Sequence, residues 1–240
     1  MTDSPTTLNI MRITTIASGS SGNCYLLTDS QNNTLICEAG KGTFDDALRQ
    51  IPDVKKISGG IVSHYHRDHC EHMDDWAKYG IRFLGPDNFT HAQQINIGKY
   101  YEWSVIPLAV EHDPDIECFA FFIRSNVEGK TIFFATDCYN YSRIIGALPE
   151  PLALALIETN HDSHMLDCGK YPKELKERVA RTHCSVQRAS LAIQQAKCQR
   201  FILIHPSENN LDQAAALEYL RSEFPNREFQ FARPRLCVEI

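Results

Sequence analysis

Gly60-Ile61-Val62-Ser63-His64-Tyr65-His66-Arg67-Asp68-His69 is the stretch whose reading decides the fold. Its first four residues are small or apolar and read as a buried strand that stops where the histidines begin. Alternate side chains of an extended backbone share a face, so His64 and His66 point the same way and can hold one metal ion. Asp68 and His69, past a turn, can reach a second. Imidazole and carboxylate donors suit Zn²⁺, and also Mn²⁺ or Fe²⁺. The bland alternative is a solvated loop that happens to be rich in histidine. Four ligand-type residues in this spacing at a strand end weigh against it.

Working outward, the chain supplies further donors where a second metal would need them. His112 closes the alternating run 105–110, Asp137 closes Thr-Ile-Phe-Phe-Ala-Thr, and His205 closes Phe-Ile-Leu-Ile. Each is a ligand type at the tip of a buried strand, where layered α/β proteins place their active-site residues. A residue serving only the core would sit inside the strand.

The rest alternates short β-rich runs with turn punctuation, then becomes helical. Strands are expected at 11–17, 24–29, 34–39, 60–63, 81–84, 103–110, 118–125, 131–136, 154–158, 201–205 and 228–232. Helices are expected at 44–51, 74–79, 171–182, 186–197 and 211–224. No repeat or low-complexity segment interrupts this, so one α/β domain over 11–240 behind a loose tail at 1–10 is the simplest organisation.

Composition narrows the function classes. No apolar run approaches the roughly 20 residues a membrane-spanning helix needs. The polar start carries Asp3 and lacks a basic-then-apolar leader, so the expected location is the cytoplasm, with no membrane partner. Nine cysteines, odd in number and without a CxxC pair, fit neither a disulfide framework nor a zinc ribbon and are expected to be reduced and mostly buried. Cys70, Cys138 and Cys184 sit beside proposed site residues, with packing the expected role. The formal charge of −6 argues against an extended nucleic-acid-binding surface, though not against a local one. Residues 18–23 and Gly40-Lys-Gly-Thr lack the order of a phosphate loop, and 18–23 reads as a tight turn near the metal mouth.

The HxHxDH cluster, a later His, an Asp after a strand and a final His together resemble the metallo-β-lactamase-fold hydrolases. The likeness runs from about residue 11 to the C-terminus. Ala17-Ser-Gly-Ser-Ser-Gly-Asn23, Leu35-Ile-Cys-Glu-Ala-Gly40, Ile157-Glu-Thr-Asn-His-Asp162 and Ile204-His-Pro-Ser-Glu-Asn-Asn210 narrow it. They look like the phosphodiesterase branch, specifically the WalJ (YycJ-like) group, whose members are implicated in DNA exonuclease activity. Two positions depart from the pattern: Glu38 stands where many relatives carry Asp, and Pro206 follows the last ligand where an apolar residue is commoner.

The resemblance implies an α/β (α+β) fold arranged as a four-layer αββα sandwich. It implies two divalent ions, Zn²⁺ or Mn²⁺ with Fe²⁺ admitted. His64, His66 and His112 would hold one, Asp68, His69 and His205 the other, with Asp137 bridging. Related phosphodiesterases such as ribonuclease Z also pair a Glu after one strand with a His before a helix, here Glu158 and His183, the His protonating the leaving alkoxide. A carboxylate behind an imidazole keeps it oriented and charged, which suits that task. The competing reading is that His183 only lines a helix start.

The expected activity is therefore phosphodiester hydrolysis by a metal-bridging hydroxide, exonuclease-like, with Asp68, His183 and Glu158 catalytic and a nucleic acid or nucleotide as substrate. Homo-oligomerisation is left open. A cyclic-nucleotide or other small-molecule phosphodiesterase would use the same parts. A thioester or lactam hydrolase would not need the Glu158–His183 pair, and a non-catalytic metal-binding protein is the reading from another class. His161 and His164 are expected on a surface loop at the rim.

Overall fold

The computed structural model describes residues 10–147 and 151–240; of the tail expected over 1–10, residues 1–9 lie outside the described residues. Five strands open the fold: β1 (Arg12–Ala17), β2 (Cys24–Thr28), β3 (Thr34–Cys37), β4 (Ile57–Ile61) and β5 (Phe83–Leu84). β6 (Ile95–Ile97), β7 (Trp103–Val110), β8 (Cys118–Ser125) and β9 (Thr131–Ala135) follow as a meander. β10 (Leu154–Glu158), β11 (Arg200–Ile204), β12 (Glu228–Phe231) and β13 (Cys237–Glu239) complete the strands among the described residues. One sheet runs β13-β1-β2-β3-β4-β5, the other β12-β11-β10-β9-β8-β7-β6.

Strand alternation explains why two sheets stack and each takes helices on its outer face. Along β9, Ile132 and Phe134 face the interior shared by the sheets, while Phe133 and Ala135 face outward. β3 does the same with Leu35 and Cys37 inward and Ile36 outward. The helices α1 (Phe44–Gln50), α2 (Arg67–Cys70) and α3 (Met73–Ala77) belong to the first half. Ala47 of α1 and Trp76 of α3 cover Ile36. α4 (Ser142–Ile145), α5 (Ser163–Cys168), α6 (Lys173–Thr182), α7 (Val186–Gln195) and α8 (Gln213–Glu223) belong to the second. Ala189 and Ile193 of α7 and Leu220 of α8 cover Phe133 and Leu203. The layers are helix, sheet, sheet, helix, as expected.

Side-chain caps set the starts of α7 and α8. Ser185 accepts from the Arg188 amide to begin α7, and Asp212 accepts from the Ala214 and Ala215 amides to begin α8. Five elements escaped the sequence reading. β6 and β13 are three-residue edge strands, too short to show a period. α2, α4 and α5 are one turn or little more. No helix among the described residues is long and apolar enough to cross a membrane.

The inter-sheet core rests on aromatic contacts. Phe134 is fully buried, 5.4 Å edge-on from Tyr25 and 6.4 Å from Phe121. Phe134→Ala is expected to cost about 3–5 kcal/mol. Denaturant midpoints at fixed metal loading check this, and a loss under about 1 kcal/mol would show that the interior collapses around the cavity.

What places the site is strand direction. β9, β10 and β11 are parallel neighbours, Ile157 opposite both Ala135 and Leu203. Residues that follow these strands therefore emerge along one sheet edge, as open parallel sheets require.

Candidate metal centre

Three buried non-glycine residues at strand ends adopt left-handed backbone: Glu38 after β3 (φ 65°), Asp137 after β9 (φ 46°) and His205 after β11 (φ 54°). Such residues cost about 1–3 kcal/mol each and persist where the surroundings over-determine them. All three turn their side chains into one cluster. Asp137 lies at its centre: its carboxylate is 3.6 Å from His64 Nε2, 3.5 Å from His69 Nε2, 3.7 Å from His112 Nε2 and 3.2 Å from His205 Nδ1.

Two donor groups share that carboxylate: His64, His66 and His112 on one side, Asp68, His69 and His205 on the other. In the first, His66 Nδ1 lies 2.8 Å from His64 Nε2 and 3.3 Å from His112 Nε2. In the second, Asp68 Oδ2 lies 3.3 Å from His69 Nε2 and 3.6 Å from His205 Nε2. Donor atoms about 2.1 Å from one tetrahedral ion stand about 3.4 Å apart, close to most of these separations.

Protons point the same way. His112 Nδ1 lies 2.9 Å from the Thr182 carbonyl, which only accepts, so that nitrogen carries the proton and Nε2 turns its lone pair to His66. Ser63 Oγ meets His64 Nδ1 at 2.9 Å, again leaving Nε2 for the cluster. Burial, with His69 beside it, holds His64 well below its ordinary pKa, the neutral form a ligand needs. His205 Nε2 is buried, aimed at Asp68 and without a hydrogen-bond partner among the described residues. These observations fit a divalent-metal centre.

Burial alone would protonate Asp137, yet the positive ends of His205, His69 and His183 hold it well below the usual carboxylate range. Asp68 is lowered in the same way, the facing His205 and His69 rings, 3.6 and 3.3 Å away, outweighing its partial burial. His205 is itself pushed up to about 10, Asp137 and Asp68 outweighing desolvation.

The sequence reading placed Asp68 and His69 past a turn; the amides of His69 and Cys70 both donate to the His66 carbonyl, forming α2. Asp68 and His69 therefore sit on one helical turn, and Arg67 turns out to pair with Glu71 at 2.6 Å. This turn is stitched to two loops. The Asn23 amide donates to the Asp68 carbonyl (2.8 Å) and the Ala39 amide to the His69 carbonyl (2.7 Å). Gly40 makes the approach possible, since a Cβ there would stand 1.9 Å from the Asp68 carbonyl oxygen. Gly40→Ala should cost about 1–3 kcal/mol by overpacking and displace Asp68. Metal titration of the purified variant tests it: an unchanged metal affinity would show that the contact is dispensable.

Glu158 and His183 meet beside the cluster. His183 Nδ1 donates to Glu158 Oε1 at 2.7 Å, and the amides of Cys138 (2.8 Å) and Cys184 (3.1 Å) donate to Glu158 Oε2. A cavity of about 300 Å³ opens on the cluster, bordered by Asp68, Asp137, His183 and His205, and also by Arg67 and Arg178.

Several residues that hold this arrangement went unassigned in the sequence. Asn23 Nδ2 lies 3.2 Å from His69 Nε2, and the carboxylate of Glu38 accepts from the Ser63 amide and stands 3.4 Å from His69 Nδ1. Asn160 Nδ2 donates to the His205 carbonyl at 3.0 Å, and Ser18 Oγ accepts from the His205 amide at 2.9 Å. Their signal was present: all four lie in the motifs 17–23, 35–40 and 157–162 that carried the resemblance. His161 corrects an expectation. It is not a surface residue but 1% exposed, its carbonyl accepting from the Val186 amide, because the chain after β10 runs inward beneath α7. His164 is exposed beside Cys168. Cys138 and Cys184 are buried in the outer core away from the cavity, and Cys70 is half-buried.

No family model matches the sequence. The chain is 26% identical over 232 residues to exodeoxyribonuclease YycJ of Bacillus anthracis, an alignment covering 86% of this chain and 87% of that one. It is 27% identical over 188 residues to exodeoxyribonuclease WalJ of Streptococcus pneumoniae, covering 68% of each. Among solved structures, the metallo-β-lactamase fold protein YhfI of Bacillus subtilis superposes with a TM-score of 0.76 at 16% identity, over 97% of this chain and all of that one. The chain is a metallo-β-lactamase-fold protein, similar in sequence to the YycJ and WalJ exodeoxyribonucleases.

Proposed function

We propose that this chain is a metal-dependent phosphodiesterase of the nuclease kind, acting on nucleic acid. The observation that carries the reading is the Glu158–His183 pair at 2.7 Å beside two donor groups that share Asp137. Amide or thioester hydrolysis would not call for that pair. The names of the similar YycJ and WalJ proteins support the same class.

His64, His66 and His112 are proposed to hold one ion, Asp68, His69 and His205 another, with Asp137 common to both and Zn²⁺ or Mn²⁺ the expected metal. When bound, such ions supply Lewis-acid stabilisation of the phosphoryl oxygens and make water nucleophilic near neutral pH. The chain's own residues do the rest. Asp68 and Asp137 border the cavity and orient the attacking water by accepting its hydrogen bonds. His183 keeps Nδ1–H on Glu158, which leaves Nε2 to present a proton to the departing oxygen.

The test is a screen of purified protein, loaded with Mn²⁺ or Zn²⁺, on bis-p-nitrophenyl phosphate, linear DNA, RNA and cyclic nucleotides. DNA or RNA degradation is expected. Opening of a cyclic nucleotide with no strand degradation would leave phosphodiesterase chemistry standing and sink the nuclease reading. Elemental analysis should find close to two equivalents of metal, and Asp68→Ala should lower this. A protein that takes up no transition metal under any loading condition would sink the whole proposal.

A further inference from the structure

Beside the 300 Å³ cavity lies a larger one of about 670 Å³, and His112, Asp113, Arg178 and Thr182 line both. Phosphodiester chemistry needs only the smaller. The larger has apolar walls from Val110, Pro114 and Ile116, an aromatic ring from Tyr139, and two cations, Arg178 and Arg181. Its volume is within the usual range for a small-ligand site.

Its walls are tied together. The Tyr139 amide donates to the Glu111 carbonyl at 2.9 Å, joining the loops that follow β9 and β7. The Arg188 guanidinium lies over the Tyr139 ring, 3.8 Å from its centroid, and donates to its hydroxyl at 2.6 Å. A second nitrogen of Arg188 donates to the Ala180 carbonyl at 3.1 Å, fixing the end of α6 against the same tyrosine.

The two cations of the cavity form no ion pair among the described residues, although Arg181 Nε donates to the Glu177 carbonyl of its own helix at 3.1 Å. Lys173 pairs with Glu177, Lys176 donates to the Asp167 carbonyl, and Arg67 pairs with Glu71. Arg178 and Arg181 are one turn apart on α6, and neither pairs with a carboxylate among the described residues. Glu111 and Asp113 also line the cavity, from the loop after β7. A phosphate entering there is repelled by that loop and drawn to α6.

We propose that this cavity is a nucleotide subsite, taking the unpaired base of the residue next to the scissile linkage while Arg178 and Arg181 hold its phosphate. The inference rests on the phosphodiesterase reading above and names its substrate as a single-stranded end. A base stacked in a duplex offers no free face to an aromatic and apolar wall, whereas an unpaired base does. It also reconciles a strand substrate with a net charge of −6: two local arginines replace a basic stripe.

The test uses the metal-loaded full chain. Fluorescence anisotropy follows binding of phosphorothioate-linked, fluorescein-tagged tetrathymidylate and tetrauridylate, which separate DNA from RNA as the source of the nucleotide. Arg178→Ala/Arg181→Ala should weaken binding of the preferred strand about tenfold or more. It should also flatten the slope of log affinity against log salt, by about 0.7 per lost phosphate contact. Arg178→Lys/Arg181→Lys should restore the salt slope, a result that a merely structural role would not produce. Arg181→Ala alone, whose residue borders only the larger cavity, should keep hydrolysis of bis-p-nitrophenyl phosphate, which has no nucleotide to seat, within about twofold of the parent. The subsite is overturned if the parent protein binds neither strand, if the double alanine variant binds as well as the parent, or if Arg181→Ala loses strand binding and bis-p-nitrophenyl phosphate hydrolysis equally. Strand binding without strand cleavage would support the subsite and reject the nuclease reading, so the two fail separately.

Discussion

His183→Ala is expected to lower kcat on a DNA or RNA substrate by about 10²–10⁴-fold while metal content stays near that of the parent protein. The magnitude is that of a lost general acid, and the geometry explains why the residue suits the task. Glu158 is fully buried and spends one oxygen on two backbone amides, which leaves the other to fix the His183 ring at 2.7 Å. Burial would drive the imidazole neutral, but Glu158 and Asp137 outweigh it and hold the His183 pKa above its ordinary value. A charged imidazole with Nδ1 engaged has one proton left to give. A leaving alkoxide needs that proton and p-nitrophenolate does not, so the loss should shrink sharply on bis-p-nitrophenyl phosphate. The rival role is ligation, since His183 also groups with Asp137, Glu158 and His205. Elemental analysis separates the two: a variant that loses metal in proportion to activity makes His183 a ligand rather than an acid.

Glu158→Gln should follow His183→Ala in direction with a smaller loss, because it removes the charge that supports the imidazole and keeps the hydrogen-bonding shape. Here the sequence was informative. The carboxylate and the histidine are 25 residues apart, and the resemblance to ribonuclease Z-like phosphodiesterases is what picked them out, one at a strand end and one before a helix. Local reading found β7, β8 and β10 with the bounds the structure has, since each is a run of eight or five residues with clear punctuation. It failed where partners are distant and the local pattern is silent. Nothing near His112 says that its proton rests on the Thr182 carbonyl, 70 residues on. Nothing near Gly40 says that Asp68 will lie against it. Glu38 shows the limit most clearly. As a departure from the family pattern it was visible; that it accepts from the Ser63 amide and faces His69 required the left-handed turn after β3, which no local propensity favours for glutamate. The donor atoms gathered around Asp137 were legible because most of their residues follow strand ends, and the atoms that orient them were not because they depend on how loops meet.

Asp137→Ala should be the most damaging single change, abolishing measurable turnover and lowering bound metal from about two equivalents to one or none. No other side chain belongs to both donor groups, so no other substitution weakens both at once. The residue is 2% exposed and stands within 3.8 Å of nitrogens from His64, His69, His112, His183 and His205. Deleting it leaves His69 and His205, both held above their ordinary pKa with Asp137 among the causes, without that counter-charge in a buried space. Breaking a buried charge cluster by removing one partner typically costs about 3–5 kcal/mol, so the metal-free variant should also unfold at lower denaturant than the metal-free parent. Asp137→Asn distinguishes the two contributions. It keeps the volume and one acceptor oxygen, so it should recover part of the folding stability, but a neutral amide is a poor metal ligand and turnover should stay lost. If Asp137→Ala instead keeps two equivalents of metal and most of its activity, the shared-carboxylate arrangement is wrong, and the two donor groups act as separate sites.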